Sequence, residues 1–206
     1  MKTNSSYPEV LTELEHHQVR QLRHYLKSRV IPFSAHYRKM FADAGLTPDD
    51  IRTPADLARI PFTSKLDLIP NPREFVLIPD EKVLRHQPAT IWHAVRHGKA
   101  ATKAAFEHEF RPLLMTSTTG RSSQPVPFLY TAHDLEILTI AGRRVMENGG
   151  TQIDWRHANL FPFAPHLAFW LAHYAGTAGQ ILTLSSGGGK VMGTDGNIRQ
   201  IGRAHV

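Results

Sequence analysis

The chain has no cysteine among its 206 residues. That absence excludes a disulfide scaffold, a thiolate-ligated zinc or iron–sulfur site and a cysteine nucleophile. Long hydrophobic runs are also missing. The most apolar stretch, Leu160 to Gly176, is interrupted by Pro162, Pro165, His166 and His173, whereas a membrane span needs about 20 predominantly apolar residues. The opening MKTNSSYPEVLTELEHH lacks the apolar core of a secretory signal, so a soluble, cytoplasmic protein with no membrane span is expected. Three catalytic signatures are absent as well: G-x-x-x-x-G-K-[ST], G-x-S-x-G and H-E-x-x-H. A Walker-type NTPase, an α/β-hydrolase and a zincin protease are thereby set aside.

What is present is globular in character: 41% hydrophobic, 20% charged and 9% aromatic residues, in a length suited to one or two domains. The net charge of +6 is modest, but it is unevenly spread. No acidic residue occurs between His16 and Ala42, where Arg20, Arg23, Lys27, Arg29, Arg38 and Lys39 stand. Arg20, Arg23 and Lys27 fall at i, i+3 and i+7, one stripe of a helix. Such a stripe is most often a solvated face. Its functional readings are a nucleic-acid footprint or attraction of a polyanion such as ATP or CoA.

Val10, Leu11, Leu14, Val19, Leu22 and Leu26 predict an amphipathic helix from Pro8 to about Arg29. Pro32 is expected to interrupt it, and a second helix from Phe33 to be closed by Gly45. Thr53-Pro54-Ala55-Asp56 and Ser64-Lys65-Leu66-Asp67 read as two capped turns. Pro70 to Pro88 reads as irregular and Ala89 to Ala105 as a helix. Beyond Phe106 the texture becomes strand–loop–helix: an apolar run from Arg111 to Met115, strands near Val126–Tyr130, Ala158–Phe161 and Gln180–Leu184, a helix opened by Thr131-Ala132-His133-Asp134, and a helix over His166–Ala175 stopped by Gly176. Strands spaced by helices argue for an α/β fold with a parallel or mixed sheet.

The residues best suited to chemistry are Thr116-Ser117-Thr118-Thr119-Gly120-Arg121-Ser122-Ser123, set between two strand candidates. Clustered hydroxyls, backbone N–H groups near a glycine and one guanidinium are the donors that a phosphate needs. By composition alone, a polar surface loop is equally compatible. Ser185-Ser186-Gly187-Gly188-Gly189-Lys190 could form a second anion nest, but no Ser or Thr follows the lysine, and a flexible connection to a helix capped by Thr194 or Asp195 is preferred. His93 and His97 share a helical face, with His108 and Glu109 further on, yet no third placed ligand accompanies the pair, so no metal site is expected.

Met115 to Arg121 resembles the Thr-Ser-Gly-Thr-Thr-Gly-Arg phosphate loop of adenylate-forming ligases. Its continuation, Pro125-Val126-Pro127-Phe128-Leu129-Tyr130-Thr131-Ala132-His133-Asp134-Leu135, is similar to the phenylacetate–CoA ligase branch of that superfamily, as is the upstream segment Ala44 to Lys65, with its Asp56-Leu57 and Pro61-Phe62-Thr63-Ser64-Lys65. The two matches occur in the family's order, about fifty residues apart, and the resemblance covers roughly Phe33 to Gly196.

The resemblance implies an ATP-dependent enzyme that converts a small carboxylic acid, aryl or acyl, to an acyl adenylate and then to a thioester. ATP and Mg²⁺ would be its cofactors and CoA its co-substrate. It also implies that Thr116, Ser117, Thr118, Thr119, Gly120 and Arg121 hold the β- and γ-phosphates, and that Phe163 and His166 lie near the acyl pocket. The alternative for Phe161, Phe163, Phe169 and Trp170 is core packing. Ser117 replaces the loop's usual first glycine, and Ser122-Ser123-Gln124 replaces the usual Pro and Lys or Thr. No counterpart is found here of the family's aromatic–Gly–x–Thr–Glu segment, ribose-binding Asp or late catalytic Lys.

The expected organisation is therefore a helical N-terminal subdomain (1–105) followed by an incomplete nucleotide-binding α/β domain (106–200). Residues 201–206, Ile-Gly-Arg-Ala-His-Val, can be back-translated to a common sequencing-adapter start and are expected to be a non-native tail. Such a front part is expected to be inactive by itself. Two other readings stand beside it: an acyl-adenylating enzyme that transfers to a protein or polysaccharide precursor, and a nucleic-acid-binding module using the Arg20/Arg23/Lys27 stripe. The second is disfavoured, and no nucleic-acid partner is expected.

Overall fold

Helix α1 spans Tyr7–Tyr25 in the computed structural model, which describes residues 7–118, 124–163 and 166–203. It does not stop before Pro32. A π-turn over Leu26–Val30 leads into a last turn, α2 (Ile31–Phe33), and the break comes at Ser34. The π-turn is how the proline is tolerated. The N–H of Ile31 reaches back to the Leu26 carbonyl, and the Ser28 carbonyl, one turn before Pro32, is taken by the Gln87 side-chain amide at 3.1 Å. The second helix, α3 (Ala35–Asp43), starts two residues later than expected because Ser34 caps it, its Oγ accepting from the Tyr37 N–H at 3.3 Å. The same hydroxyl donates to the Glu74 carbonyl at 2.9 Å, so Ser34 is fully buried without an unpaired group. Gly45 ends α3 with φ 63°, the left-handed conformation expected of it.

The apolar faces of these helices form the core of the first unit, Met1–Thr102. Leu26, Val30, Phe41, Leu46 and Ile51 are buried together, with Leu22, Ile31, Tyr37, Met40 and Ile60 packed on them. Three capped turns follow: Thr47/Asp50, Thr53/Asp56 and Ser64/Asp67 each exchange side-chain and backbone bonds in a capping box. The last of these opens α4 (Lys65–Leu68). The proline-broken stretch is more ordered than expected, because Asp80 caps a further helix, α5 (Glu81–His86). Helix α6 spans Pro88–Phe110 but bends at Gly98, whose φ of 86° is outside helical space. The Gly98 carbonyl freed by the bend accepts the Thr102 hydroxyl at 2.9 Å.

The second unit, Lys103–Val206, carries the strands. Strands β1 (Pro112–Ser117) and β2 (Pro127–Thr131) pair antiparallel, with Thr116 opposite Phe128. Thr131 then caps α7 (Ala132–Asn148) through the expected box with Asp134. β3 (Arg156–Asn159), α8 (Leu167–Ala178) and β4 (Leu182–Ser185) form a βαβ crossover with β3 and β4 parallel, and α9 spans Gly189–Arg203 with a bend at Gly193. Both strand polarities therefore occur, as in a mixed α/β architecture.

Gly176 does not stop α8. It lies inside the helix and is buried, and a Cβ there would run into Thr183 Oγ1 and His157 Nδ1 on the two strands beneath. One turn of contact away, a Cβ at Gly142 of α7 would stand 2.7 Å from the Ala175 Cα. Gly142, Ala175 and Gly176 thus let α7, α8 and the β3–β4 pair approach to backbone distance. Among the described residues no helix is long and apolar enough to cross a membrane.

Candidate functional site

The hydroxyl-rich loop leaves the sheet at the end of β1. Thr116, Ser117 and Thr118 are described; Thr119, Gly120 and Arg121, with Ser122 and Ser123, lie outside the described residues. Thr116 is fully buried, and its Oγ1 has no hydrogen-bond partner. A buried hydroxyl without a partner loses its hydration uncompensated, which marks a place where a polar ligand atom would be favourable. Thr118 closes the hairpin: its N–H donates to the Val126 carbonyl at 3.1 Å, and its Oγ1 accepts from the Val126 N–H at 3.0 Å. A hydroxyl that accepts one bond still has its own hydrogen to donate. Thr116 lies within β1 and Thr118 just past its end, two residues on.

Ser117, on the same strand end, forms an isolated parallel bridge to His166. That bridge joins the β1 end to the start of α8, bringing together two residues far apart in the sequence. His166 caps α8, its Nδ1 accepting from the Ala168 N–H at 3.2 Å, and its ring lies nearly parallel to that of Phe161, with centroids 6.4 Å apart. Phe163 donates its N–H to the Gly187 carbonyl at 3.1 Å, and a Cβ at Gly187 would meet the Phe163 Cβ at 2.8 Å. Phe169 is core, 4% exposed, whereas Phe163 is 68% exposed with its ring edge-on to Phe169 at 5.0 Å.

Sequence reasoning missed a polar network at the carboxyl ends of β3 and β4, the end of a parallel sheet where ligands usually bind. Asn159 is fully buried; its Nδ2 donates to the Phe169 carbonyl at 2.9 Å, and its Oδ1 accepts from the Phe161 N–H at 3.2 Å. Ser185 Oγ meets His173 Nδ1 at 3.1 Å, and the buried Ser186 Oγ has no partner. The only sequence signal was an asparagine within the apolar run Ala158–Phe161 expected to be a strand. His157 on β3 faces Thr183; burial first, then the neighbouring His173, holds its pKa below the ordinary 6.5, so the ring is neutral. The glycine run expected as a plain connection turns through positive φ at Gly187 (73°) and Gly188 (95°), and α9 begins at Gly189, ahead of Thr194.

The remaining candidates are dispersed. Arg23 and Lys27 of the basic stripe both pair with Asp49, at 2.9 and 2.6 Å, and hold its carboxyl below the usual range, Lys27 most strongly. Two of the three stripe cations are thus engaged within the chain. His93 and His97 have ring centroids 4.7 Å apart, and His93 bonds the Thr102 hydroxyl. In the suspected tail, the Ile201 carbonyl accepts from Arg156 at 3.1 Å, and residues 204–206 lie outside the described residues.

The fold of this chain is similar to that of a solved acyl-CoA ligase. The solved 2-hydroxyisobutyryl-CoA ligase, in complex with 2-HIB-AMP and CoA in the thioesterification state, superposes with a TM-score of 0.66 at 16% identity, over 87% of this chain and 33% of that one. Its postadenylation state with 2-HIB-AMP gives 0.62 over 84% and 31%. In sequence, the chain is 30% identical over 124 residues to a phenylacetate-coenzyme A ligase of Aromatoleum evansii, and 41% identical over 75 residues to one of Pseudomonas putida. These stretches cover 59% and 35% of this chain but 22% and 16% of the relatives, so the chain spans about a fifth of the length of the curated enzymes it matches. No family profile matches the chain. The likeness is that of an N-terminal portion of an adenylate-forming ligase.

Proposed function

We propose that residues 1–206 form the N-terminal part of an enzyme that activates a carboxylic acid with ATP and passes the acyl group to CoA. The observation that supports this most is the described end of the loop, with the unpartnered, buried Thr116 hydroxyl and the Thr118 hydroxyl two residues on, in a chain 30% identical over 124 residues to a phenylacetate-coenzyme A ligase. In the first step a carboxylate oxygen attacks the α-phosphorus of ATP, and the bond to the bridging oxygen of pyrophosphate breaks. Charge accumulates on the departing pyrophosphate. Hydroxyl hydrogens of Thr116 and Thr118, continued by Ser117, Thr119, Gly120 and Arg121, would donate to its β- and γ-oxygens, a preorganised stabilisation of the developing charge. Mg²⁺ supplies further charge neutralisation when bound with ATP. In the second step the CoA sulfur attacks the acyl carbonyl and AMP leaves. Phe163 and His166 would border the acyl group, a reading supported for His166 by its bridge to Ser117.

The test is carboxylate-dependent ATP–pyrophosphate exchange by an enzyme that carries these residues together with the remaining portion of the ligase. Thr118→Ala combined with Thr119→Ala is expected to lower exchange by about 10²-fold, the usual effect of removing charge-stabilising donors. Thr118→Ser, which keeps the hydroxyl, should retain most of it. Unchanged exchange in the double variant would refute the assigned role, and near-parental exchange by residues 1–206 alone would refute the expectation that this part is inactive by itself.

A further inference from the structure

Among the described residues, one group of three metal-ligating side chains has all its ligand atoms within 4.8 Å of one another: His108, His133 and Glu136. It lies away from the loop. His108 is in the last turn of α6, two residues before the helix ends at Phe110, and His133 and Glu136 are i, i+3 neighbours in the first turns of α7. The antiparallel hairpin makes the meeting possible, because the pairing of Pro112 with Thr131 returns the start of α7 to the end of α6. His108 Nε2 is 2.9 Å from Glu136 Oε1, and the rings of His108 and His133 stand at 61° with centroids 6.3 Å apart.

We propose that this trio binds a single Zn²⁺ ion. Two imidazole nitrogens and one carboxylate oxygen are a zinc donor set, and three protein ligands leave a fourth position for water. Mg²⁺ and Ca²⁺ prefer all-oxygen surroundings. Zinc–nitrogen and zinc–oxygen bonds of about 2.0–2.2 Å place tetrahedral ligand atoms about 3.4 Å apart. The observed separations reach that arrangement by side-chain rotation, for which the 42% and 62% exposure of His108 and Glu136 leaves room. A His108–Glu136 ion pair by itself would explain only two of the three convergent groups. The ion would fasten the open end of the β1–β2 hairpin, opposite the end that carries Thr116 and Thr118, and so would limit how far the two strands can splay. The adenylation chemistry does not require it, so the two proposals stand or fall separately.

The experiment titrates Zn²⁺ into chelator-stripped chain 1–206 against a chromophoric competitor, with Co²⁺ absorption as a report on nitrogen and oxygen ligation. One equivalent should bind with a micromolar dissociation constant. His133→Ala and Glu136→Gln should each weaken binding by about tenfold or more, whereas His97→Ala, on the separate His93/His97 pair, should leave it unchanged. Millimolar Mg²⁺ should not compete. Zinc should raise the thermal midpoint of the wild-type chain and not that of Glu136→Gln, a near-isosteric change that keeps the test valid should His133→Ala fail to fold. The proposal is overturned by the absence of stoichiometric binding, by equal binding in Glu136→Gln, or by an equal loss in His97→Ala.

Discussion

Single residues decide how closely the second unit packs. An exposed Gly→Ala change inside a helix normally stabilises by about 1 kcal/mol, and at Gly202, where a Cβ meets nothing within 4 Å, that gain is expected. At Gly142 the sign reverses, because the new methyl would stand 2.7 Å from the Ala175 Cα, a backbone atom that cannot swing aside. Gly142→Ala should therefore destabilise by about 1–3 kcal/mol, read as a lower urea midpoint, while Gly202→Ala should equal or exceed the wild-type midpoint. A midpoint for Gly142→Ala at or above wild type would show that α7 and α8 do not meet at this point. The close approach at Gly142 and Gly176 was not legible in the sequence. Gly176 in particular was expected to stop a helix, since a glycine needed for close approach and one needed for a turn are the same letter.

Capping chemistry operates at the scale of the element, and there the sequence was more informative. The Thr53/Asp56, Ser64/Asp67 and Thr131/Asp134 boxes are local, three residues wide, and the structure contains them as expected. Asp50, Asp56 and Asp67 each accept bonds from the cap residue, and these bonds hold the carboxyls below their ordinary value of 3.8. A depressed carboxyl pKa means that the unfolded chain takes up protons first. The contribution of the boxes to stability is thus complete above the ordinary carboxylate range and is lost as pH falls through and below 3.8. His157 adds an earlier loss. Its pKa is below 6.5 in the folded chain, so the unfolded state is favoured progressively as pH drops beneath 6.5. Denaturation midpoints should accordingly decline in two stages on acidification, and His157→Gln should abolish the first. A flat profile between pH 7 and 5 would contradict the burial of that ring between β3 and α8. Helix ends set by longer-range contacts were less legible. Pro32 is carried through a π-turn whose displaced Ser28 carbonyl accepts from the neighbouring Arg29 guanidinium and from Gln87, 59 residues away.

For the molecule as a whole, the second unit leaves much apolar surface uncovered. Leu113, Met115, Val145, Ile153, Phe163 and Leu182 are all more than half exposed, and among the described residues each of the two sheets has two strands. Unpaired strand edges and contiguous exposed apolar groups favour association. The chain in isolation is predicted to bind an environment-sensitive hydrophobic dye and to elute as assemblies. A monodisperse protein that binds no dye would count against this.

The sequence by itself determined the secondary-structure currency of this protein: helices marked by 3.6-residue periodicity, caps marked by Ser/Thr and Asp three apart, a hydroxyl-rich loop between strands, and the resemblance to adenylate-forming ligases carried by that loop. All of these are local patterns, whose cause lies within a few residues. The tertiary structure alone decided which distant residues meet. It set β1 antiparallel to β2, joined Ser117 to His166, left the Thr116 hydroxyl buried without a partner, and placed His133 and Glu136 beside His108 instead of pairing that histidine with its neighbour in sequence. The physical reason is that such meetings depend on strand register and on helix approach distance. Both are fixed by packing across the whole unit, and neither leaves a mark at a single position in the chain.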